Sequence, residues 1–507
     1  MSNRELLFLS AVSAAALIRR KKLSPVEYMD AVLAAVERLQ PTLNCFITVA
    51  AEDARRGARA SEQAVMEGGP LGPLHGIPVS VKDLIPTKGV RTTFGSIAFT
   101  DNVPDRDDAL VTRLRAAGAI MIGKTTTPEF GIKGQTDAPI YGVTRNPWNL
   151  ERTPGGSSGG AAAAVAAGLG PIGLGSDGAG STRIPAACCG LVGLKGTTGA
   201  IPYQEARDAF GNVVAAGPLT RTVADCAVMQ SAMGGADPLD PWTPHAEPLG
   251  RVSPALLSQD LSGLRIGYLS RSAATKVSAD VTKGVEASLK VFSDLGAEIE
   301  EVRADVDWMP DDQRALYLSS IANNLGAVVD RFGDKTDPIL QAYVAAGKQY
   351  DIAAYIKAIA ARTRLFRAVQ GLFESYDFLV SPTITRTALA TDFNGATGVV
   401  EIDGEAIGPT QPALTGFVYP FNLTGHPALA VPSGWAADGL PTSVQIIGPR
   451  HADSGVLRLG GLLEQARPWA DRKPALAMAK SFAGGGQVAR RGPQFVMAGL
   501  APRLSGS

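Results

Sequence analysis

Residues 153–196 read TPGGSSGGAAAAVAAGLGPIGLGSDGAGSTRIPAACCGLVGLKG, and their pattern decides the fold class. The run Ala161–Ala167 suits a buried helix. It is followed by two short apolar runs, 170–176 (GPIGLGS) and 190–195 (GLVGLK), that suit strands. Working outward, 76–81 (GIPVSV) and 119–123 (AIMIG) are strands of the same kind, separated by helical stretches. Strand and helix alternating in this way predict an α/β fold, a sheet covered by helices.

Beyond this core, 5–66 reads as helices punctuated by Pro25 and Pro41, with Ser24-Pro25 capping one of them. The run 6–18 (LLFLSAVSAAALI) is an amphipathic first helix rather than a leader, because its positive charge follows the apolar stretch. Residues 236–262 are proline-rich and loop-like, 263–270 is a strand, and 275–375 is largely helical. Strands return at 377–382 and 427–448. The expectation is one domain over 1–475. Its core comes from 5–235 and 365–475, with a helical layer over 236–364 on one side. The Gly/Arg-rich 476–507 is a disordered tail.

The 507 residues carry 48 Lys+Arg against 48 Asp+Glu, so no net field favours a polyanion and nucleic acid is not expected as a partner. Four cysteines are too few and too badly spaced for a disulfide framework or a zinc ribbon, which favours a reduced, cytoplasmic setting. No uncharged run reads as a membrane span.

Three motifs match by letter and fail on context. Gly118–Thr125 has the phosphate-loop spacing, but Ala119–Ile122 would make a buried strand rather than a cradle of exposed amides. Gly168–Gly173 has the dinucleotide spacing, but Pro171 lacks an amide that the phosphates would need. Gly155–Gly159 matches a hydrolase nucleophile elbow around Ser157, yet none of His75, His245, His426 or His451 stands out as its base.

What survives is a constellation of one lysine and two serines. In 76–84 (GIPVSVKDL), period-two alternation sets Lys82 opposite Val79 and Val81 at a strand end, where α/β sheets place chemistry. Pairing with Asp83 at the surface is the plainer alternative. Ser157 and Ser158 lie in a glycine turn entering the alanine helix, where free amides gather, although they also suit helix capping. Around Ser181, the small residues Gly178, Ala179 and Gly180 let successive amides converge beside a hydroxyl, the form of an oxyanion hole.

Lys82, Ser157 and Ser181, with GGSSGG and Asp-x-x-Gly-Ser-x-Arg-x-Pro-Ala-x-x-Cys-Gly-x-Val-Gly-x-Lys from Asp177 to Lys195, resemble the amidase signature family. The resemblance continues through Gly217–Asp225, Tyr376–Thr383, Phe421–Gly425 and Gly439–Pro441. It implies a mixed β-sheet with helices on both faces and hydrolysis of amide, aryl amide or carbamate bonds through an acyl-enzyme. Ser181 is the implied nucleophile, Ser157 the bridging serine behind a cis Gly156–Ser157 peptide, and Lys82 the base. Gly178, Ala179, Gly180 and Ser181 would form the oxyanion hole. Ser158 would support the bridging serine, and Asp177 and Arg183 would pair across the loop.

The resemblance implies no cofactor or metal, a small-molecule amide or carbamate as the only ligand, no membrane, and a monomer or homodimer. The family's glutaminase subunits of tRNA-dependent amidotransferases are the alternative; a non-catalytic binding protein is a weaker one. Specificity is expected from 130–141, 203–210 and the helices of 305–375, with Phe130, Gln135, Tyr203 and Phe210 as candidate substrate contacts. Phe130, Ile132, Tyr203, Phe210, Trp308 and Tyr317 point to a hydrophobic acyl or aryl group unless they serve the core. Two positions depart from the family pattern: Ala179 replaces the usual glycine, and Gly196 the usual proline.

Overall fold

In the computed structural model, which describes residues 1–243, 260–273, 276–395, 397–409 and 414–478, the centre is an eleven-stranded mixed sheet. Across it run Phe46–Val49, Ile120–Thr125, Pro78–Lys82, Ile172–Asp177, Ala215–Thr220 and Val192–Lys195. Ala428–Trp435, Pro441–Ile447, Phe378–Pro382, Arg265–Tyr268 and Glu298–Glu301 complete it. Pro78–Lys82 lies between two parallel neighbours, with Val81 opposite Lys124 on one side and Leu174 on the other. Every residue of that strand is buried, as expected where helices cover both faces of a parallel stretch.

Alternation along the strands divides the core. Leu429 and Val431 pack with Val223 and Val285 on one face, while Ala430 packs with Ile184 and Ala186 on the other. The helix Gly159–Ala166 is buried on every side, which is why its sequence is apolar all round. Three further helices, Pro310–Phe332, Pro338–Gly347 and Ile352–Leu372, form a layer from the middle of the chain.

Five local expectations need adjustment, the first being that 5–66, expected as helices, also holds the edge strand Phe46–Val49. The first helix is two, Asn3–Leu7 and Ala11–Arg19, because Ser10 caps the second through the amide of Ser13. Ser24 does cap the next, accepting from Val26 and Glu27, but Pro41 lies inside that helix, Pro25–Leu43, in its last turn. The stretch 275–375 also holds the edge strand Glu298–Glu301, whose charged residues hide its period. A short helix, Ala475–Met478, runs into the expected tail, and the rest of that tail lies outside the described residues. No helix among the described residues is long and apolar enough to cross a membrane.

The rejected motifs are built as structure. Ile120–Thr125 is a buried strand, and Lys124 Nζ donates to the Ile85 carbonyl and to the hydroxyls of Thr87 and Thr92. Ile172 opens a strand in the same way.

Candidate active site

Lys82 ends a central strand, and its side chain is fully buried. It does not pair with Asp83, which turns the other way and accepts from the amide and hydroxyl of Thr93. The Lys82 Nζ instead lies 2.7 Å from Ser157 Oγ, 3.0 Å from Ser176 Oγ and 3.3 Å from the Ser176 carbonyl. Burial pulls this amine down to about 7, against a smaller opposing effect of the Asp177 carboxylate. Near neutral pH a large fraction is therefore unprotonated, and a neutral amine has one lone pair and two N–H groups. That valence matches the three neighbours: a proton accepted from Ser157, two donated to Ser176.

Ser157 follows a cis peptide bond to Gly156. A side chain at Gly156 has no room, since a Cβ would stand 2.6 Å from the Lys133 carbonyl oxygen and 2.7 Å from the backbone of Gln135. Ser158 occupies the helix N-cap position, yet its hydroxyl does not cap the helix. It donates to the Ser176 carbonyl at 3.2 Å and accepts from the Ser176 amide at 3.3 Å, fixing the strand end that meets Lys82. The Ser158 amide in turn donates to the Ser181 carbonyl at 3.1 Å, tying the two serine segments together.

The loop carrying Ser181 is organised by one buried ion pair. Arg183 Nε and Nη2 donate to the two oxygens of Asp177 at 3.0 and 2.9 Å, with neither side chain exposed. The remaining guanidinium protons reach the Val418 carbonyl, Gln445 Oε1 and Asn422 Oδ1. Burial alone would raise the Asp177 carboxyl, but the Arg183 charge and the hydrogen bonds from Arg183, Asn422 and Gly180 hold it well below the usual carboxylate range.

The same network narrows the expected oxyanion hole. The Gly180 amide donates to Asp177 Oδ1 at 2.7 Å, so of the four amides expected there this one is taken. Gly180 carries a positive φ of 98°, whereas Ala179 is not among the residues with positive φ, so its methyl brings no backbone strain. At Gly196, the other departure, a Cβ would stand 2.8 Å from Gln230 Nε2 and 2.9 Å from Asp453 Oδ1, so a ring there would require those side-chain ends to shift.

A cavity opens over Ser181. It is lined by Gly156, Ala179, Ile184, Ile132 and Gln135, and by Tyr317, Ile339 and Tyr343 of the helical layer. Gln135 and Ala179 line it together with Ser181, while three candidate contacts do not. Phe130 meets Phe99 edge-on and packs on the cluster of Ile132 and Ile339, Tyr203 packs on the core cluster that holds the first helices, and Phe210 is 77% exposed. An aromatic residue in a promising segment says nothing of which way it faces.

The structure adds Ser176, Asn422, Gln445, Ile339 and Tyr343 to the neighbourhood, and it places the expected Ile132 and Tyr317 in the cavity lining. Asn422 and Gln445 reach Arg183 from 239 and 262 positions away, and no local pattern signals such a contact. Histidine chemistry finds no support at the serines. His75 contacts the Ser61 carbonyl, and His426 is stacked between Phe366 and Phe373. His451 is exposed on a turn, and His245 lies outside the described residues.

Known proteins similar to this chain fall in one family. The model of the family described as Amidase matches residues 27–457. An acylamidase of Rhodococcus erythropolis is 37% identical over 480 residues, covering 94% of this chain and 99% of that one. A glutamyl-tRNA(Gln) amidotransferase subunit of a Roseiflexus species is 35% identical, covering 90% and 96%. A solved bacterial aryl acylamidase of the amidase signature enzymes superposes with a TM-score of 0.84 at 30% identity, covering 91% of this chain and 97% of its own.

Proposed function

The chain belongs to the amidase family and is a hydrolase of C–N amide bonds, and we propose that it works through Lys82, Ser157 and Ser181 on amides with an apolar acyl or aryl group. Neutral Lys82 accepts the Ser157 proton while Ser157 accepts that of Ser181, and Ser181 Oγ attacks the substrate carbonyl. The amides of Gly178, Ala179 and Ser181 stabilise the tetrahedral oxyanion. The proton returns along the relay to the leaving amine, leaving an ester on Ser181. Water, deprotonated by the same relay, then releases the acid and restores the serine.

The observation that carries the mechanism is the 2.7 Å approach of a buried, depressed lysine to Ser157. The substrate class rests on the cavity. Glutamine carries a carboxylate and an ammonium that each need a charged partner when desolvated. Among the described lining residues the one charged side chain is Lys133, and it is already bound to Asp137 and Asp337. Tyrosine and aliphatic walls suit an apolar group, so the amidase reading is preferred to the glutaminase one that the amidotransferase relative suggests.

The test is a panel of anilide, aliphatic amide, carbamate, ester and glutamine substrates with wild type, Ser181→Ala and Lys82→Ala. Anilide turnover should be lost in both variants, and covalent labelling by a serine-directed reagent should be lost in Ser181→Ala. Full amide turnover by Lys82→Ala would remove the mechanism, and glutamine as the preferred substrate would remove the specificity.

A further inference from the structure

The cavity is lined by separate parts of the chain, and one largely buried polar knot joins two of them. Lys133 Nζ donates to Asp337 Oδ2 at 2.5 Å and to Asp137 Oδ2 at 2.7 Å. The Lys133 and Asp337 side chains are only 7% and 4% exposed. The Asp337 amide donates to Glu129 Oε2 at 2.6 Å, and Ser96 donates to the other oxygen of that buried carboxylate. Tyr317 adds a third tie, its hydroxyl donating to the Ile132 carbonyl at 2.6 Å.

Each end of the knot is anchored to the site. On one side the backbone of Lys133 and Gln135 rests against Gly156, next to Ser157. On the other, Asp337 caps the helix Pro338–Gly347 by accepting from the Ile339 amide at 2.8 Å, and that helix brings Ile339 and Tyr343 into the cavity. The loop between them holds Phe130 at a φ of 52°, a conformation a bulky residue keeps only where its surroundings impose it.

We propose that Lys133 and Asp337 are positioning residues that determine specificity: their ion pair clamps the helix Pro338–Gly347 to the loop beside Ser157 and so fixes the width of group the cavity accepts. A neutral contact would hold the two parts less firmly, because two opposite charges buried together resist separation into an apolar setting. The inference rests on the reading of this cavity as the substrate site.

Asp337→Asn tests it cleanly. Asparagine caps a helix as well as aspartate does, so the cap survives, and Lys133 keeps Asp137 as its counter-ion. The probes are p-nitroanilides with a straight hexanoyl or a branched 4,4-dimethylpentanoyl chain. The preference for straight over branched should fall at least about fivefold, carried by KM, with the same change in Lys133→Gln. Amide hydrogen exchange should quicken at 129–137 and 338–347. An equal fall in kcat on both anilides with the preference kept would overturn the proposal, because that is the mark of a merely structural contact. If wild type cleaves neither anilide, the reading of the site fails separately, and unchanged exchange in Asp337→Asn would still overturn the clamp.

Discussion

Lys82 Nζ and Ser157 Oγ come from residues 75 positions apart and meet at 2.7 Å, in a place that water does not reach. Desolvation here draws the amine down to about 7, and its two hydroxyl neighbours are Ser157 and Ser176.

The pH dependence follows directly. With the lysine drawn down to about 7, kcat/KM on an anilide should rise through about pH 7 and level above about pH 8. Lys195 is also buried and pulled down to about 7, by burial first and then by Arg183. Its ammonium donates to the Gly196 carbonyl instead of a serine, so Lys195→Met should keep the inflection. Its disappearance there would reassign the base.

Stability should carry the opposite mark of the same group. Between about 7 and the ordinary lysine value of about 10.4, the unfolded chain holds a proton on Lys82 that the native protein does not, so this group's contribution to stability rises with pH. Below that window it is a constant penalty. Lys82→Met should therefore be inactive yet more resistant to urea at pH 7, with an advantage that shrinks toward pH 10. A variant less stable than wild type at pH 7 would show that the lysine is not desolvated at a cost.

Lys82 and Ser157 should fail together. Removing either breaks one relay, so Lys82→Ala and Ser157→Ala should each lower kcat by about 10²–10⁴-fold. The double variant should lose little more than the worse single one. Multiplying losses in single-turnover measurements would mean two independent contributions.

The buried Asp177–Arg183 pair couples catalysis to folding. Arg183→Met would leave a carboxylate without its counter-ion and take the guanidinium donors from the Val418 carbonyl, Gln445 Oε1 and Asn422 Oδ1. The expected loss is about 3–5 kcal/mol in urea unfolding, together with most of the activity. Because the Asp177 carboxyl is held below its unfolded value, its contribution is present above about pH 3.9 and is lost as pH falls toward the native value. In Arg183→Met burial acts on the Asp177 carboxyl without the opposing charge and raises it, so the deficit in urea unfolding should be greatest near pH 7 and shrink as the pH falls and the carboxyl takes up its proton.

Close-packed chemistry is what the amino-acid order makes legible. Glycines and serines crowded around Ser157 and Ser181 stand out because few other uses demand residues so small, and the apolar strands betray a sheet covered on both faces. Partners that arrive from far along the chain leave no such trace. Ser176 borders the loop of Ser181, but only the parallel pairing of its strand with Pro78–Lys82 turns its hydroxyl to Lys82. Tyr343 and Ile339 depend on how a separate helical layer docks, and Glu298–Glu301 carries too few apolar residues to mark a strand. Phe210 and Tyr203 have the chemistry of substrate contacts, while exposure and packing direct them elsewhere.

Ala179 and Gly180 are neighbours with opposite tolerances. At Gly180 a Cβ would stand 2.3 Å from Val418 Cγ2 and 3.0 Å from Ile184 Cδ1, on a residue whose φ is 98°. Gly180→Ala should cost about 1–3 kcal/mol from overpacking and a similar amount from backbone strain. It would also move the amide that Asp177 holds. Ala179 already bears a side chain that lines the cavity without positive φ. Ala179→Gly should therefore leave kcat for a small amide near wild type and lower KM for bulkier acyl groups, because a methyl leaves the lining beside Ser181. Matched kinetics on acetyl and benzoyl anilides check both variants. A loss of kcat in Ala179→Gly comparable to that of Gly180→Ala would mean that the methyl holds the oxyanion loop in place rather than shaping the substrate site.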